Sequence, residues 1–169
     1  MRNNIRGLIF HIFLGLILFV LAYFINLSPS LTGVLYGNFI FRLVLIAFVI
    51  FLYFNFSKAM SKRQNKNFDF LAGNLIVFIG LITMGFAFLG LGKNIFKAGP
   101  GGSGFRIFMD VFLFPQLYII RLLKLKESFV SLILLSFLPG LIYGISIKIS
   151  RKKLIRKRNL ARRRKIWID

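Results

Sequence analysis

Four long apolar runs, separated by short polar or basic segments, dominate the pattern of hydrophobic and polar positions along the chain. Each run is close to the roughly 20 residues with which a helix crosses a hydrocarbon layer of about 30 Å. Inside lipid every backbone polar group must be bonded within its own segment, so the runs predict transmembrane α-helices. The predicted helices cover residues 7–27, 38–56, 71–91 and 128–147.

These runs are rich in Phe, Ile and Val, but they do not predict strands. Strands of a membrane β-barrel alternate apolar and polar positions over segments of about ten residues, whereas these runs are apolar on every face. Overall, 57% of the 169 residues are hydrophobic, against about 45–50% in soluble domains. The predicted fold class is therefore all-α and integral to the membrane, a bundle of four transmembrane helices.

The basic residues predict how this bundle is oriented. The chain carries 24 Lys and Arg against 4 acids, and 11 of the basic residues lie in the last 22 positions. With both termini in the cytoplasm, 17 basic residues lie inside and 6 outside, which is the bias that cytoplasmic loops show. We therefore predict an N-in/C-in protein of a bacterial cell membrane, with both termini cytoplasmic.

A further apolar stretch, residues 105–123, complicates the count of spans. It is interrupted by Arg106, Asp110, Pro115, Gln116 and Arg121. We expect it to lie in the outer interface or to re-enter the membrane partway, with Pro115 dividing any helix there. The alternative is a fifth span, which would move the N-terminus outside and divide the basic residues 14 inside to 9 outside, a weaker bias.

The predicted domain organisation is a single transmembrane domain, residues 1–147, followed by a basic cytoplasmic tail, residues 148–169. The tail has more basic residues than orientation alone requires, so we expect it to bind anionic lipids of the inner leaflet, with Trp167 dipping into the interface. Nucleic acid is not an expected partner, because the charge lies in blocks between apolar runs. The candidate lipid-contacting residues are Arg151, Lys152, Lys153, Arg156, Lys157, Arg158, Arg162, Arg163, Arg164, Lys165 and Trp167.

Three polar residues inside the predicted helices are candidates for function. Arg42 lies a few residues inside the outer end of its helix. It can extend its guanidinium to the headgroups or bind an anionic group, such as a lipid phosphate, in an outward-facing cleft. His11 lies near the inner face and is expected to bond to a neighbouring helix, with Asn74 as a possible partner.

Helix packing has one clear signal in the fourth predicted helix. Gly140 and Gly144 are four residues apart, which permits close approach of another backbone. Pro139 directly before them is expected to bend the helix. Between the first two helices, residues 28–37 predict a short uncharged turn.

No constellation for catalysis, for a cofactor or for a metal is recognisable. The chain has no Cys and one His, and its four carboxylates, Asp69, Asp110, Glu127 and Asp169, are scattered. Asp110 lies one helical turn after Arg106 and is expected to pair with it. We therefore predict no catalytic, cofactor-binding or metal-binding residues.

These observations favour a non-enzymatic accessory or assembly role, carried by the helix surfaces and the basic lipid-binding tail. A larger membrane protein or a second copy of the chain is the expected protein partner. The alternative is a small transporter, flippase or channel subunit acting as an oligomer, with Arg42 and residues 105–123 lining a path. A cavity lined by Arg42, His11 or Asn74 would favour this alternative.

Overall fold

The computed structural model describes residues 2–60, 69–97 and 103–166. Within these residues the chain forms α-helices, turns and short 3₁₀ segments, and no strand. The helices are α1 (Arg2–Asn26), α2 (Pro29–Gly37), α3 (Phe39–Ser57), α4 (Asn74–Leu91), α5 (Gly104–Phe112), α6 (Phe114–Leu122), α7 (Phe129–Ser136) and α8 (Leu138–Ile166). A 3₁₀ turn, Phe70–Gly73, leads directly into α4.

Four helical segments of the described chain are long and apolar enough to cross a membrane, as predicted. They are α1, α3, the segment Phe70–Leu91, and α7 together with the first part of α8. Their outward surfaces carry large apolar side chains such as Ile40, Leu89 and Val130, which are 68%, 85% and 68% exposed. An apolar surface of this extent is suited to lipid rather than to water. The described part of the chain is thus all-helical, and its four long apolar helical segments are those of a multi-pass membrane protein.

The stretch predicted to be interfacial or re-entrant forms a helical hairpin. Its two helices, α5 and α6, have nine residues each and meet at Leu113. At 1.5 Å per residue each is about 14 Å long, which is too short to cross the membrane, so neither forms a fifth span. Pro115 explains the break, because it lacks a backbone N–H and is accepted only in the first turn of a new helix.

The fourth span is also divided, where the sequence predicted a bend at Pro139. α7 ends at Ser136 and α8 begins at Leu138, since the proline cannot donate the hydrogen bond that would continue the helix. After this break α8 runs without interruption through the predicted domain boundary at 147/148 to Ile166. The basic tail is therefore a helical continuation of the fourth span as far as the structure describes it.

The connection between α1 and α3 is not the simple turn that the sequence predicted. It contains the nine-residue helix α2. Ser28 caps this helix by accepting a hydrogen bond from the Leu31 backbone N–H, and Pro29 occupies its first turn. The Thr32 hydroxyl donates to the Ile25 carbonyl at 3.0 Å and ties the helix back to α1.

Helix α6 is the centre of the bundle. It contributes to two apolar clusters, one with α1, α3 and α8 and the other with α4, α5 and α7. Tyr118 and Ile119 belong to the first cluster, while Leu117 and Ile120 belong to the second. A helix surrounded in this way buries residues on most of its sides. Its buried residues are Pro115, Gln116, Leu117, Tyr118, Ile119, Ile120 and Leu122.

The bundle has two different ends, named here for their main features. At the tail end, α8 leaves the bundle beside the beginning of α1, where the Tyr143 hydroxyl donates to the Gly7 carbonyl at 3.2 Å. At the opposite end, the cleft end, α1 and α6 terminate and α3 begins. There the Arg42 guanidinium donates to the Leu122 carbonyl at 3.0 Å.

Candidate functional site

The hairpin tip is fastened to α1 and α3 through His11, which is completely buried. The His11 Nε2 lies 2.9 Å from the Phe112 carbonyl oxygen, and its Nδ1 lies 2.7 Å from the Tyr53 hydroxyl. Because a carbonyl oxygen can only accept, Nε2 carries the proton and donates, and a neutral ring then accepts from Tyr53 at Nδ1. Both ring nitrogens are thus occupied in holding three segments together.

The suggested pairing of His11 with Asn74 is not present. Asn74 lies at the start of α4 with its side chain exposed, while the partners of His11 come from α3 and from the hairpin tip. The sequence could not indicate Tyr53, since the rotation of α3 about its axis decides whether this residue faces α1. His11 and Asn74 therefore do not form one site.

The base of the hairpin is held by a cluster of charges around Arg106, a side chain only 1% exposed. Its Nε donates to Asp110 at 3.0 Å, as the one-turn spacing predicted, and its Nη2 donates to Glu127 at 2.7 Å. Glu127 also accepts from the Arg121 Nε at 3.0 Å. Glu127 thus joins the start of α5 to the end of α6, a contact that was not predicted from the sequence.

A second ion pair, between Asp69 and Arg151, lies at the tail end and was also missed. The two guanidinium nitrogens of Arg151 donate to the two carboxylate oxygens at 2.6 and 2.7 Å, and Asp69 is 3% exposed. Planar bidentate pairs of this kind combine charge attraction with fixed geometry. The pair connects the first residues of the tail to the segment that precedes α4.

A close glycine contact joins α8 to the turn before α4. A Cβ placed on Gly73 would lie 2.5 Å from the Gly140 Cα, so the two backbones touch there. Gly144, one turn further along α8, lies against the ring of Phe70. Close approach of this kind is what small residues permit between membrane helices.

Arg42 lies at the edge of a cavity of about 470 Å³ at the cleft end, and this cavity is the candidate functional site. Its volume falls within the range of about 300–1,000 Å³ that is usual for small-molecule sites. The polar lining residues are Asn26, Tyr36, Arg42, Tyr118, Arg121 and Lys124. Tyr23 also lines the cavity, and the apolar lining residues are Phe19, Ala22, Phe114 and Leu122.

The cleft brings together cations that are distant in sequence. Arg42 comes from α3, Arg121 from α6, and Lys124 from the turn after α6, and no carboxylate is among the lining residues. The Arg42 Nε is buried and makes no hydrogen bond with the described part of the chain. Of the cleft residues, Arg42 is the one that was predicted from the sequence as a candidate site residue. His11 and Asn74 do not line the cleft.

The candidate tail residues extend away from the bundle along α8. The side chains of Lys152, Lys153, Arg156, Lys157 and Arg158 are exposed, in contrast to Arg151. Of Arg162, Arg163, Arg164 and Lys165 the structure describes the helical backbone. Trp167 lies outside the described residues. Among the described residues, no three His, Asp or Glu side chains come together as metal ligands would.

Comparison with known proteins provides no further guide to this site. No protein-family model matches the chain, and neither a curated protein nor a solved structure matches it significantly. The geometry of the bundle is therefore the basis for every functional proposal that follows.

Proposed function

We propose that the chain is a four-span protein of a bacterial cell membrane with both termini in the cytoplasm. The positions of the basic residues support this orientation, because cytoplasmic flanks of membrane helices are rich in Lys and Arg. Arg6, Lys58 and the exposed basic residues of α8 all belong to the tail end. The cleft end then faces the outside of the cell.

In this orientation the α5–α6 hairpin re-enters the membrane from the outer side. Support comes from its two termini, which meet at Glu127, and from its tip, which reaches His11 and lies against Gly15 of α1. Non-helical backbone at such a depth is tolerated where protein surrounds it, and the break at Leu113 is completely buried.

The proposed role is that of a non-enzymatic accessory or assembly protein that acts through its helix surfaces and its basic tail. The continuous basic helix that leaves the tail end is the observation that carries this proposal. Its exposed cations attract anionic lipids of the inner leaflet with about 1 kcal/mol per residue near the surface. The exposed apolar surfaces of the spans are available to a larger membrane protein or to a second copy of the chain.

The engagement of the acid and imidazole groups supports a non-enzymatic role. Asp69 is paired with Arg151, and Asp110 and Glu127 are paired with Arg106. The two nitrogens of His11 are bonded as described above. A general acid or base must be able to reach a substrate, and these groups are instead used to hold helices together.

A single cysteine in place of Leu160 tests orientation and lipid contact together, since the chain has no native Cys. An impermeant maleimide should label it only after the cells are permeabilised, whereas a cysteine in place of Leu27 should react on intact cells. In nanodiscs, a fluorophore at position 160 should be quenched by brominated lipid only when anionic lipid is included, and high salt should abolish this quenching. Labelling of position 160 on intact cells, or quenching that ignores lipid charge, would contradict the proposal.

The Arg42 cleft favours a second candidate, a transporter, flippase or channel subunit. The cavity is lined by Arg42 of α3 and by residues of α6, so a path through the bundle at this place would pass along the hairpin. Movement of a fluorescent phospholipid across proteoliposomes, lost when Arg42 is replaced by Leu, would support this role. Absence of such movement in the unaltered protein would count against it.

A further inference from the structure

The cleft at the end of α1, α3 and α6 has an excess of positive charge that the protein itself does not neutralise. Three cations line it, and the nearest acid, Glu127, is already shared between Arg121 and the buried Arg106. Arg42 and Lys124 take part in none of the salt bridges formed within the described residues. An anion bound between them would restore the balance of charge.

Arg42 presents donors that suit a phosphate oxygen. One guanidinium nitrogen donates to the Leu122 carbonyl at 3.0 Å, which fixes the plane of the group, while the Nε is buried without a partner. Guanidinium groups match phosphate with parallel hydrogen bonds, which a Lys ammonium cannot form.

Lys124 is held at the cleft in an unusual backbone conformation. Its φ is +55°, and among the described residues no other residue except a glycine has a positive φ. It follows the last turn of α6, where the Leu125 N–H bonds to the Ile120 carbonyl at 3.0 Å, an arrangement in which glycine is the usual residue. A lysine in place of glycine there adds a cation to the cleft at some cost in backbone strain.

Part of the cleft lining is apolar and is exposed at the outer surface of the bundle. Phe19 and Phe114 pack edge to face with ring centroids 5.8 Å apart, and Phe19 is 56% exposed. In a membrane protein such a surface contacts hydrocarbon. The cleft therefore places a cationic pocket beside a lipid-facing aromatic wall, which is the arrangement that an amphiphile with an anionic head requires.

We propose that this cleft binds the phosphate of an anionic phospholipid headgroup, with the acyl chains lying along Phe19 and Phe114. Arg42 and Lys124 bind the phosphate, and Arg121 adds positive charge at the rim. In the proposed orientation the lipid belongs to the outer leaflet, so this site is separate from the contact between the tail and the inner leaflet.

A fluorophore on a cysteine in place of Leu27 reports on this cleft without responding to the tail. Leu27 follows α1 at the cleft end, is 61% exposed and does not line the cavity. In detergent, titration with short-chain phosphatidylglycerol should change the fluorescence saturably, while short-chain phosphatidylcholine should bind at least about fivefold more weakly. Inorganic phosphate at the same concentrations should neither change the signal nor displace the lipid.

Lys124→Gly is the decisive variant, because it removes the cation and suits the positive φ, so loss of folding does not confuse the result. It should weaken phosphatidylglycerol binding about fivefold, which corresponds to roughly 1 kcal/mol for one cation near the headgroup. The matched control, Lys126→Gln, removes an exposed cation two residues away that does not line the cleft, and it should leave the affinity unchanged.

Two substitutions of Arg42 distinguish the effect of its charge on lipid binding from the effect of its paired hydrogen-bond donors. Arg42→Leu should weaken binding about tenfold or more, and Arg42→Lys should give an intermediate affinity, because lysine retains the charge without the paired donors.

Equal binding by Lys124→Gly and the unaltered protein would overturn the proposal. Equal binding of phosphatidylcholine, or full displacement by inorganic phosphate, would also overturn the assignment to an anionic lipid.

Discussion

The two ends of the bundle are built in opposite ways. At the tail end, backbones touch at Gly73 and Gly140, and the buried Asp69 has a bidentate partner in Arg151. At the cleft end, a cavity of about 470 Å³ separates the helices, and the Arg42 Nε has no partner in the described chain. The difference indicates that one end provides stability while the other leaves room and polar groups for a ligand.

The largest expected effect comes from breaking the ion pair at the tail end. Asp69→Asn should destabilise the protein by about 3 kcal/mol, because it leaves the Arg151 guanidinium, 12% exposed, without its counter-charge. Unfolding by a denaturing detergent, followed through helix content, measures the change in the free energy of unfolding. Lys152→Gln, next to Arg151 but exposed, is the control and should change this energy by less than about 0.5 kcal/mol.

The double variant Asp69→Asn with Arg151→Gln sharpens this test. If the pair acts as a unit, the double variant should be more stable than the sum of the two single changes implies. Full additivity would show that the two side chains do not depend on each other, and the tail end would lose its main distinction from the cleft end.

A smaller loss of stability is expected when a side chain is placed in the close contact between the backbones of α8 and the turn before α4. In Gly73→Ala the new Cβ would lie 2.5 Å from the Gly140 Cα, and separating the two backbones should cost about 1–3 kcal/mol. Gly85→Ala is the matched control on the same span, since nothing lies within 4 Å of its Cβ position. It should be neutral or stabilising by up to about 1 kcal/mol, because alanine favours the helix.

This pair of glycine variants can be compared by thermal unfolding in one detergent. A midpoint for Gly73→Ala at or above that for Gly85→Ala would contradict the close contact. The tail end would then not be the tightly packed part of the bundle.

The smallest effects should have opposite signs for two buried polar groups of the hairpin region. Tyr53→Phe removes the hydrogen bond to His11 and should cost about 0.6 kcal/mol, the average for such bonds between membrane helices. Gln116 is 1% exposed, and its side-chain amide has no partner in the described chain. Gln116→Leu should therefore stabilise the protein by about 1 kcal/mol.

The same unfolding assay should measure the sign of the change in the free energy of unfolding for both variants. If Gln116→Leu destabilises the protein, then the amide has a role in the folded state that its surroundings do not explain. If Tyr53→Phe stabilises it, the hydrogen bond between His11 and Tyr53 does not contribute to holding the hairpin tip in place.

Local features of the fold followed from the sequence. The four helical spans were predicted from the length of the apolar runs. The interruptions near Pro115 and Pro139 were predicted because proline has no backbone N–H. The pair of Arg106 and Asp110 came from their spacing of one helical turn. Each of these predictions depends on residues close together in the chain, where helix geometry alone determines the distances.

Contacts between distant segments could not be predicted in this way. Asp69 and Arg151 are 82 residues apart, and His11 and Tyr53 are 42 residues apart. Runs that are apolar on every face contain no signal for which side of a helix turns inwards, because lipid and protein interior favour the same residues. The helix α2 was missed for a related reason, since its polar and small residues also fit a turn.

The sequence by itself thus determined the helical fold of the described chain and the four segments that are long and apolar enough to cross a membrane. Hydropathy and the need to satisfy backbone hydrogen bonds act locally, which is why they can be recognised in the sequence. Only the tertiary structure decided that the stretch containing Pro115 folds back on itself as a hairpin in the centre of the bundle. That packing brings Arg42 from one helix and Lys124 from the end of another to the same cavity. The candidate site exists because helix rotation and packing, which no local pattern records, placed them there.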